Sequence, residues 1–533
     1  MPNWITSVFT MKIPAILSLC LLLPLQSSAQ VGRLGWTMFG GDTQRTGWNR
    51  VEEDLTQDNV KGLKLEWSLK LDNAPKGLNG LTVPIVRAGL PTPRGVKDLV
   101  IVAGSSDKLF VIDADTGKLF WEKTLAIKGT AERSDTWLCP NSLNATPVIG
   151  NVPGKGQGVF LLASDGVVHA FNLISGEDLF PPTPFVPPFA KVWSMTFADN
   201  TLYTTSAACN GLKSSVFAMS LSDPGRKVTV FTTAPSGGGI STGGVWGRAG
   251  AAMTSDGKLV IETGDGPWNP AKGDYSDSLL ILTPKDLKLA DYYTPPNHPW
   301  LTKKDLDMGS ISPTVFKFRN WELAAAGGKE GVIVLLDTKS PGGADHRTPL
   351  YRSSLVTNQE INFAGKGFWG AFSTWQDEGG TRWLYAPAYG PPAPGASFPI
   401  QYGETPNGSL MAFKVEEKDG KPVLTPAWNS VDMMVPTPAV IANGMVFVLA
   451  DGDSPVQFGN SGGILNIDQR KARAGHETLY ALDAATGKVL FSSGDTIKSF
   501  SHFSAPVVFG GRVYAVTYDG TLYAFSLGSP LSQ

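Results

Sequence analysis

The sequence predicts an all-β protein, an eight-bladed β-propeller closed by pairing of its N- and C-terminal strands, and three observations lead there. A strand-turn-strand unit recurs eight times, and a second element stands upstream of each copy. The composition, 60 Gly and 39 Pro in 533 residues with no long helical period, suits a turn-rich β chain.

The clearest copy is Thr478 to Phe491. Leu479 to Leu482 is a short apolar run of strand type, Asp483 to Gly487 supplies turn chemistry, and Val489 to Phe491 resumes the run. The other hairpins start at Leu109–Asp113, Val168–Asn172, Val216–Ser220 and Leu279–Thr283, then Val332–Asp337, Leu410–Lys414 and Leu522–Ser526. The upstream element ends in Pro at Pro84, Pro147, Pro313, Pro438 and Pro506, with looser versions at Trp193, Arg248 and Ala371. The last repeat stops after Phe525 without its final strand, so Leu63 to Leu71 is expected to complete that blade and join the two termini.

The copies share a side-chain spacing. Val111, Asp113, Gly117 and Trp121 show it in full, as do Ala481, Asp483, Gly487 and Phe491, while Ala170, Asn172, Gly176 and Phe180 carry Asn for Asp. This resembles the tryptophan-docking motif of the quinoprotein dehydrogenases, whose fold is an eight-bladed propeller. An aromatic at that place would cover the neighbouring blade. The lead-in Trp36-Thr-Met-Phe-Gly-Gly-Asp-Thr-Gln-Arg-Thr-Gly-Trp-Asn49, followed by Leu55, Val60, Leu63 and Trp67, is similar to the corresponding segment of that family.

The N-terminus reads as a signal peptide over residues 1–29. Lys12 precedes the apolar run Ile13 to Leu25, and Ser27-Ser28-Ala29 offers a cleavage point. The run is too short for a membrane span and is cut by Pro24, and Cys20 lacks a lipobox around it. Residues 30–533 then form one propeller domain that is periplasmic or secreted, with no transmembrane anchor after cleavage. A net charge of −2 and the absence of a basic stripe give no reason to propose nucleic acid. In an oxidising compartment Cys139 and Cys209 are expected to pair, two free buried thiols being the alternative. No Cys-x-x-Cys-His is present, so no haem is attached.

The chemistry concentrates in the middle of the chain. Gly243-Gly-Val-Trp246-Gly-Arg248, with Glu262-Thr-Gly-Asp265-Gly-Pro-Trp268-Asn269, looks like the quinoprotein segment that holds pyrroloquinoline quinone, PQQ. The resemblance implies Trp246 as an aromatic floor for the flat cofactor and Asp265, where the family usually has Asn, as a Ca²⁺ ligand. Asp305-Leu-Asp307 falls on the segment with the catalytic aspartate, which removes the substrate hydroxyl proton. Asp307 fits that position best, also as a metal ligand, with Asp305 second. Lys329 in Gly328-Lys-Glu-Gly331 is similar to the basic residue at the cofactor's edge, and the resemblance implies Ser206 in Thr205-Ser-Ala-Ala-Cys209 as a further cofactor contact.

The chain departs from the family pattern at three positions. Cys209 stands where a glutamate normally binds the metal, Ala145 where an arginine contacts the cofactor, and Asp265 replaces Asn. For each site residue there is also a plain reading: Trp246 as one of fifteen Trp, Asp305 and Asp307 as turn caps, Lys329 as a turn lysine in water. His502 is expected near the axis, as a satisfied core residue.

Two functions follow. The first is a PQQ-dependent dehydrogenase of a small hydroxyl-bearing substrate, with Ca²⁺ at the cofactor and electrons leaving to a separate acceptor such as a cytochrome c. The second is a non-catalytic propeller scaffold for protein partners in the cell envelope. Clustering of Trp246, Asp265, Asp307 and Lys329 on one face favours the enzyme, and a funnel filled by side chains favours the scaffold.

Overall fold

The computed structural model describes residues 1–2, 34–133, 135–460 and 462–528. The expected signal run and its cleavage point lie outside the described residues. Among the described residues eight sheets of four or more strands, antiparallel apart from a short parallel edge pair in two of them, follow one another around a ring. The first blade is Ile85–Thr92, Gly95–Gly104, Lys108–Asp113 and Lys118–Thr124, each strand bonded to the next. The eighth consists of Val507–Phe509, Arg512–Val516 and Thr521–Ser526, and its outermost strand is Lys64–Lys70 from the other end of the chain. The expected closure is therefore present, with Leu69 opposite Leu522 and Lys70 opposite Thr521. A C-terminal strand left as a free edge would offer unpaired N–H and C=O groups to other chains.

Alternating apolar residues on the two faces of each blade fill the spaces between blades. Ile85, Leu99 and Ile101 of the first blade pack with Ile149, Val159 and Leu161 of the second. Aromatic side chains lock the outer rim. The indole N–H of Trp67 donates to the carbonyl of Ala114 at 2.9 Å, that of Trp121 to Leu173 at 2.9 Å, and that of Trp428 to Ala484 at 3.0 Å. Each ring lies on a turn glycine of the following blade. A Cβ on Gly117 would stand 2.6 Å from Trp67, and the same glycine has φ +62°, so two constraints select it.

The segment from Leu34 to Asn49 does what its sequence pattern did not announce. Its carbonyls accept backbone N–H groups from the inner edges of six blades: Trp36 from Val86, Thr37 from Ile149, Thr43 from Met253, Gln44 from Val315, Thr46 from Thr374 and Gly47 from Ile441, all at 2.7 to 2.9 Å. Arg45 reaches the third blade at Met195 and Thr196, and the Asn49 amide donates to Val508 of the eighth at 2.8 Å. One strap thus satisfies inner-strand groups that would otherwise face the axis unpaired. Among the described residues no helix is long and apolar enough to cross a membrane.

Cys139 and Cys209 are bonded, with Cα atoms 5.8 Å apart. The bond ties the loop before the second blade to the end of the strand Thr201–Ala207. Cys209 therefore has no thiolate to offer a metal.

Candidate active site

A cavity of about 200 Å³ is lined together by Trp246, Asp265, Asp305, Asp307 and Lys329. They come from loops of the third, fourth and fifth repeats. Ser206 does not join them as a lining residue. It is buried in the strand Thr201–Ala207, where its hydroxyl donates to the Ser215 carbonyl at 3.4 Å and accepts the Ser215 N–H at 3.1 Å.

The two aspartates are placed by a short helix, His298–Lys304. Asp305 ends it in the left-handed region, φ +55°, giving its N–H to the carbonyls of Leu301 and Thr302. Leu306 then turns into the core, 1% exposed, while its two neighbours Asp305 and Asp307 both line the cavity. Glycines make the contact between Asp307 and Trp246 close. Gly264 N–H donates to Gly244 O at 2.7 Å and Trp246 N–H to Gly309 O at 2.9 Å, stacking three glycine-bearing segments. A Cβ on Gly264 would stand 2.6 Å from Asp307 Oδ2 and 3.0 Å from the Trp246 ring, so no larger residue leaves both in place.

Charge organises the acidic wall. Lys329, 8% exposed, places Nζ 2.6 Å from Asp305 Oδ1 and 2.6 Å from Asp307 Oδ1. Burial pulls its ammonium down, but the two carboxylates outweigh that and hold it above the usual lysine range. Lys329 meets Asp307 at Oδ1 alone, so Oδ2 of this 1% exposed carboxylate has no hydrogen-bond partner among the described residues. Burial, with Asp307 adding to it, pushes Asp265 up to about 6, and Ser241 donates to its Oδ2 at 2.9 Å. Burial, opposed by Lys329, pushes Asp305 up to about 7.

These shifts make ligand-free stability pH-dependent. A carboxyl that holds its proton more tightly folded than unfolded contributes stability that is complete below the ordinary carboxylate range. That contribution is lost as pH rises through the folded values of about 6 and about 7. The thermal midpoint of the ligand-free protein is expected to fall between roughly pH 4 and pH 7, and Asp305→Asn to flatten the fall. An unchanged slope in that variant would show that Asp305 takes no part in it.

The cavity also contains Lys191, Arg248 and Asp453, to which sequence reasoning gave no chemical role, and His502, which it placed near the axis. Lys191, 6% exposed, carries its ammonium 4.4 Å from the centre of the Trp246 ring. The half-buried Arg248 guanidinium lies 3.9 Å from the Trp193 ring and 4.0 Å from the Phe503 ring. Its position two residues after Trp246 was the one signal available. Asp453 accepts Arg470 Nη2 at 2.9 Å and pairs with His502 Nδ1 at 2.6 Å. Burial, opposed by Asp453, pulls His502 down to about 4, so the ring is neutral near pH 7. His502 is therefore a partnered residue that still reaches the cavity.

Comparison with known proteins fits this architecture. Several solved structures share the fold at low identity. A europium-containing methanol dehydrogenase is 13% identical with a TM-score of 0.60, covering 93% of this chain and 98% of its own. The quinohemoprotein alcohol dehydrogenase of Comamonas testosteroni is 14% identical with a TM-score of 0.56, covering 94% of this chain and 82% of its own. The quinohemoprotein alcohol dehydrogenase ADHIIG of Pseudomonas putida HK5 is 14% identical with a TM-score of 0.57, covering 94% and 81%. No curated protein sequence matches the chain. A family profile described as outer membrane protein assembly factor BamB matches residues 49–227 and 439–529, leaving out the central stretch that carries Trp246, Asp265, Asp307 and Lys329. Because that match spans half of the sequence, and the blades it covers carry the repeat and the docked aromatics, the chain belongs to this family of PQQ-like repeat propellers.

Proposed function

We propose that this protein is an exported PQQ-dependent dehydrogenase that oxidises an alcohol or related hydroxyl compound and passes electrons to a separate carrier in the periplasm or outside the cell. The observation that carries the reading is the convergence of Trp246, Asp265, Asp307 and Lys329 on one open cavity. The chain's own residues suit the cofactor. Trp246 offers a flat aromatic surface, and Lys191, Arg248 and Lys329 offer cations to a polyanionic quinone. PQQ, when bound, supplies the two-electron acceptor for the hydride of the substrate carbon.

The donor set also suits a divalent cation. Asp265, Asp305 and Asp307 present one oxygen each within 4.8 Å of one another, against the single ammonium of Lys329. Three carboxylates around one ammonium leave negative charge that Ca²⁺ would neutralise with oxygen ligands. Asp265 and Asp307 would hold it, with Asp305 taking the place left by the missing glutamate.

Proton removal falls to Asp307. Its Oδ2 has no hydrogen-bond partner among the described residues, so a substrate hydroxyl entering the cavity finds an acceptor oxygen beside the one that Lys329 holds. Lys329 holds that carboxylate in place and offsets its charge. Trp369 and Tyr389, stacked with ring centres 5.8 Å apart, add an aromatic wall to the cavity.

The scaffold reading draws on the family match, which covers the first three blades and the last two. A funnel filled by side chains would favour it, and the axial cavity is open. Titration of the purified protein with PQQ and Ca²⁺, followed by quinone absorbance and tryptophan fluorescence, separates the two. Saturable binding is expected, weakened about tenfold or more by Trp246→Ala through loss of the stacking surface. A wild-type protein that never binds PQQ would leave the scaffold reading in possession.

A further inference from the structure

Two cations in the cavity have no anion of their own. Lys191 is 6% exposed, and among the described residues its ammonium rests only against the faces of Trp246 at 4.4 Å and Trp193 at 5.3 Å. The charges that act on it, Arg248 and Lys329, are both positive, and among the described residues no carboxylate forms an ion pair with it. Burial first, and then these two cations, push its ammonium well below the usual lysine range. Arg248 is sandwiched between Trp193 and Phe503, and the carboxylate whose charge reaches it, Asp453, is already engaged by Arg470 and His502. Burial holds it down to about 9. Burying an uncompensated cation is costly, and a fold that keeps two side by side in an open cavity has left the compensating charge to a ligand.

We infer that Lys191 and Arg248 form a carboxylate-binding subsite, distinct from the acidic cluster of Asp265, Asp305 and Asp307, that holds the anionic end of the molecule whose other end meets Asp307. The arrangement is built for a planar or aromatic carboxylate. The Lys191 ammonium stands over the Trp246 ring, so a flat ligand held against that indole would bring a carboxylate on its rim within reach of it. Arg248, stacked between two rings, presents its guanidinium edge, which suits bidentate pairing with a carboxylate. The subsite also answers a gap in the sequence, for Ala145 stands where a cofactor-binding arginine is expected. The carboxylate has two possible sources, the quinone cofactor or the substrate, and the inference rests on the proposed quinone reading only for the first.

The test uses the full chain and three probes: PQQ, its trimethyl ester, and mandelate as a small aromatic hydroxy-carboxylate. Binding is followed by tryptophan fluorescence and calorimetry in the wild type, Lys191→Met and Arg248→Met. If the cofactor is the source, PQQ affinity falls about ten- to a hundredfold in either variant, as expected for loss of a charge-assisted bond, while the ester binds all three proteins alike. If the substrate is the source, PQQ affinity is unchanged and mandelate affinity falls by a similar factor. Mandelate binding that depends on Lys191, without any PQQ binding, keeps the subsite and overturns the quinone reading. Carboxylate affinities equal in wild type and variants, or no carboxylate binding at all, overturn the subsite, and PQQ binding that persists in the first of these cases leaves the quinone reading standing. Ligand-free unfolding supplies the control. An ammonium without a partner adds no stability, so the midpoint of Lys191→Met should equal or exceed that of wild type, and a lower midpoint would mark Lys191 as structural and count against the subsite.

Discussion

Asp307→Asn is expected to lower turnover by about two to four orders of magnitude with PQQ and an artificial acceptor, while PQQ still binds. The amide matches the carboxylate in size, so the packing against Gly264 and Trp246 is kept, but it cannot take the hydroxyl proton. Lys329 is not stranded by the change, because Asp305 remains 2.6 Å from its ammonium. Binding measured by titration and turnover measured on the same preparation separate loss of the base from loss of the site. Activity that survives Asp307→Asn but disappears in Asp305→Asn would move the base to Asp305, and activity that survives both would remove this cluster from the chemistry.

Lys329→Met is expected to destabilise the protein by about 3–5 kcal/mol, read from urea unfolding near neutral pH. The lysine is 8% exposed and its charge answers two carboxylates, one of them 1% exposed. Removing it leaves Asp307 charged in a buried place with no cation beside it. A turn lysine pointing into water, the plain reading of the sequence, would lose under about 1 kcal/mol, so the magnitude decides between the two. The double variant Lys329→Met with Asp307→Asn should recover part of the loss, since the interaction energy of contacting residues is not additive. A double variant no better than the single one would place the cost elsewhere, for instance in the packing of the lysine stem beside Trp369.

The sequence by itself determined the propeller, its blade number and its closure. The repeat is local: a period-two apolar run, a turn ending in glycine and a docked aromatic are all written within about fifteen residues, and each repeat shows them afresh. The missing eighth outer strand was legible for the same reason, because a repeat cut short must find its partner at the other end. Trp246, Asp265, Asp305, Asp307 and Lys329 were found through motif resemblance, and they do share one cavity. Ser206, reached by alignment alone, is held instead by the strand pairing with Ser215, which no motif reports.

Only the tertiary structure decided what these residues face. Lys191 and Trp246 are remote in sequence, as are Asp453 and His502, and each pair meets only when loops of different repeats converge. The strap from Leu34 to Asn49 shows the same limit, since its carbonyls are satisfied by blades spread over the whole chain. Local sequence encodes a strand and its turn, whereas the charge balance of a central cavity is a sum over many blades and exists only once the ring has closed. A lysine with two aspartates and a lysine with none look alike in the chain. Their different roles arise from which carboxylates the closed ring brings within reach.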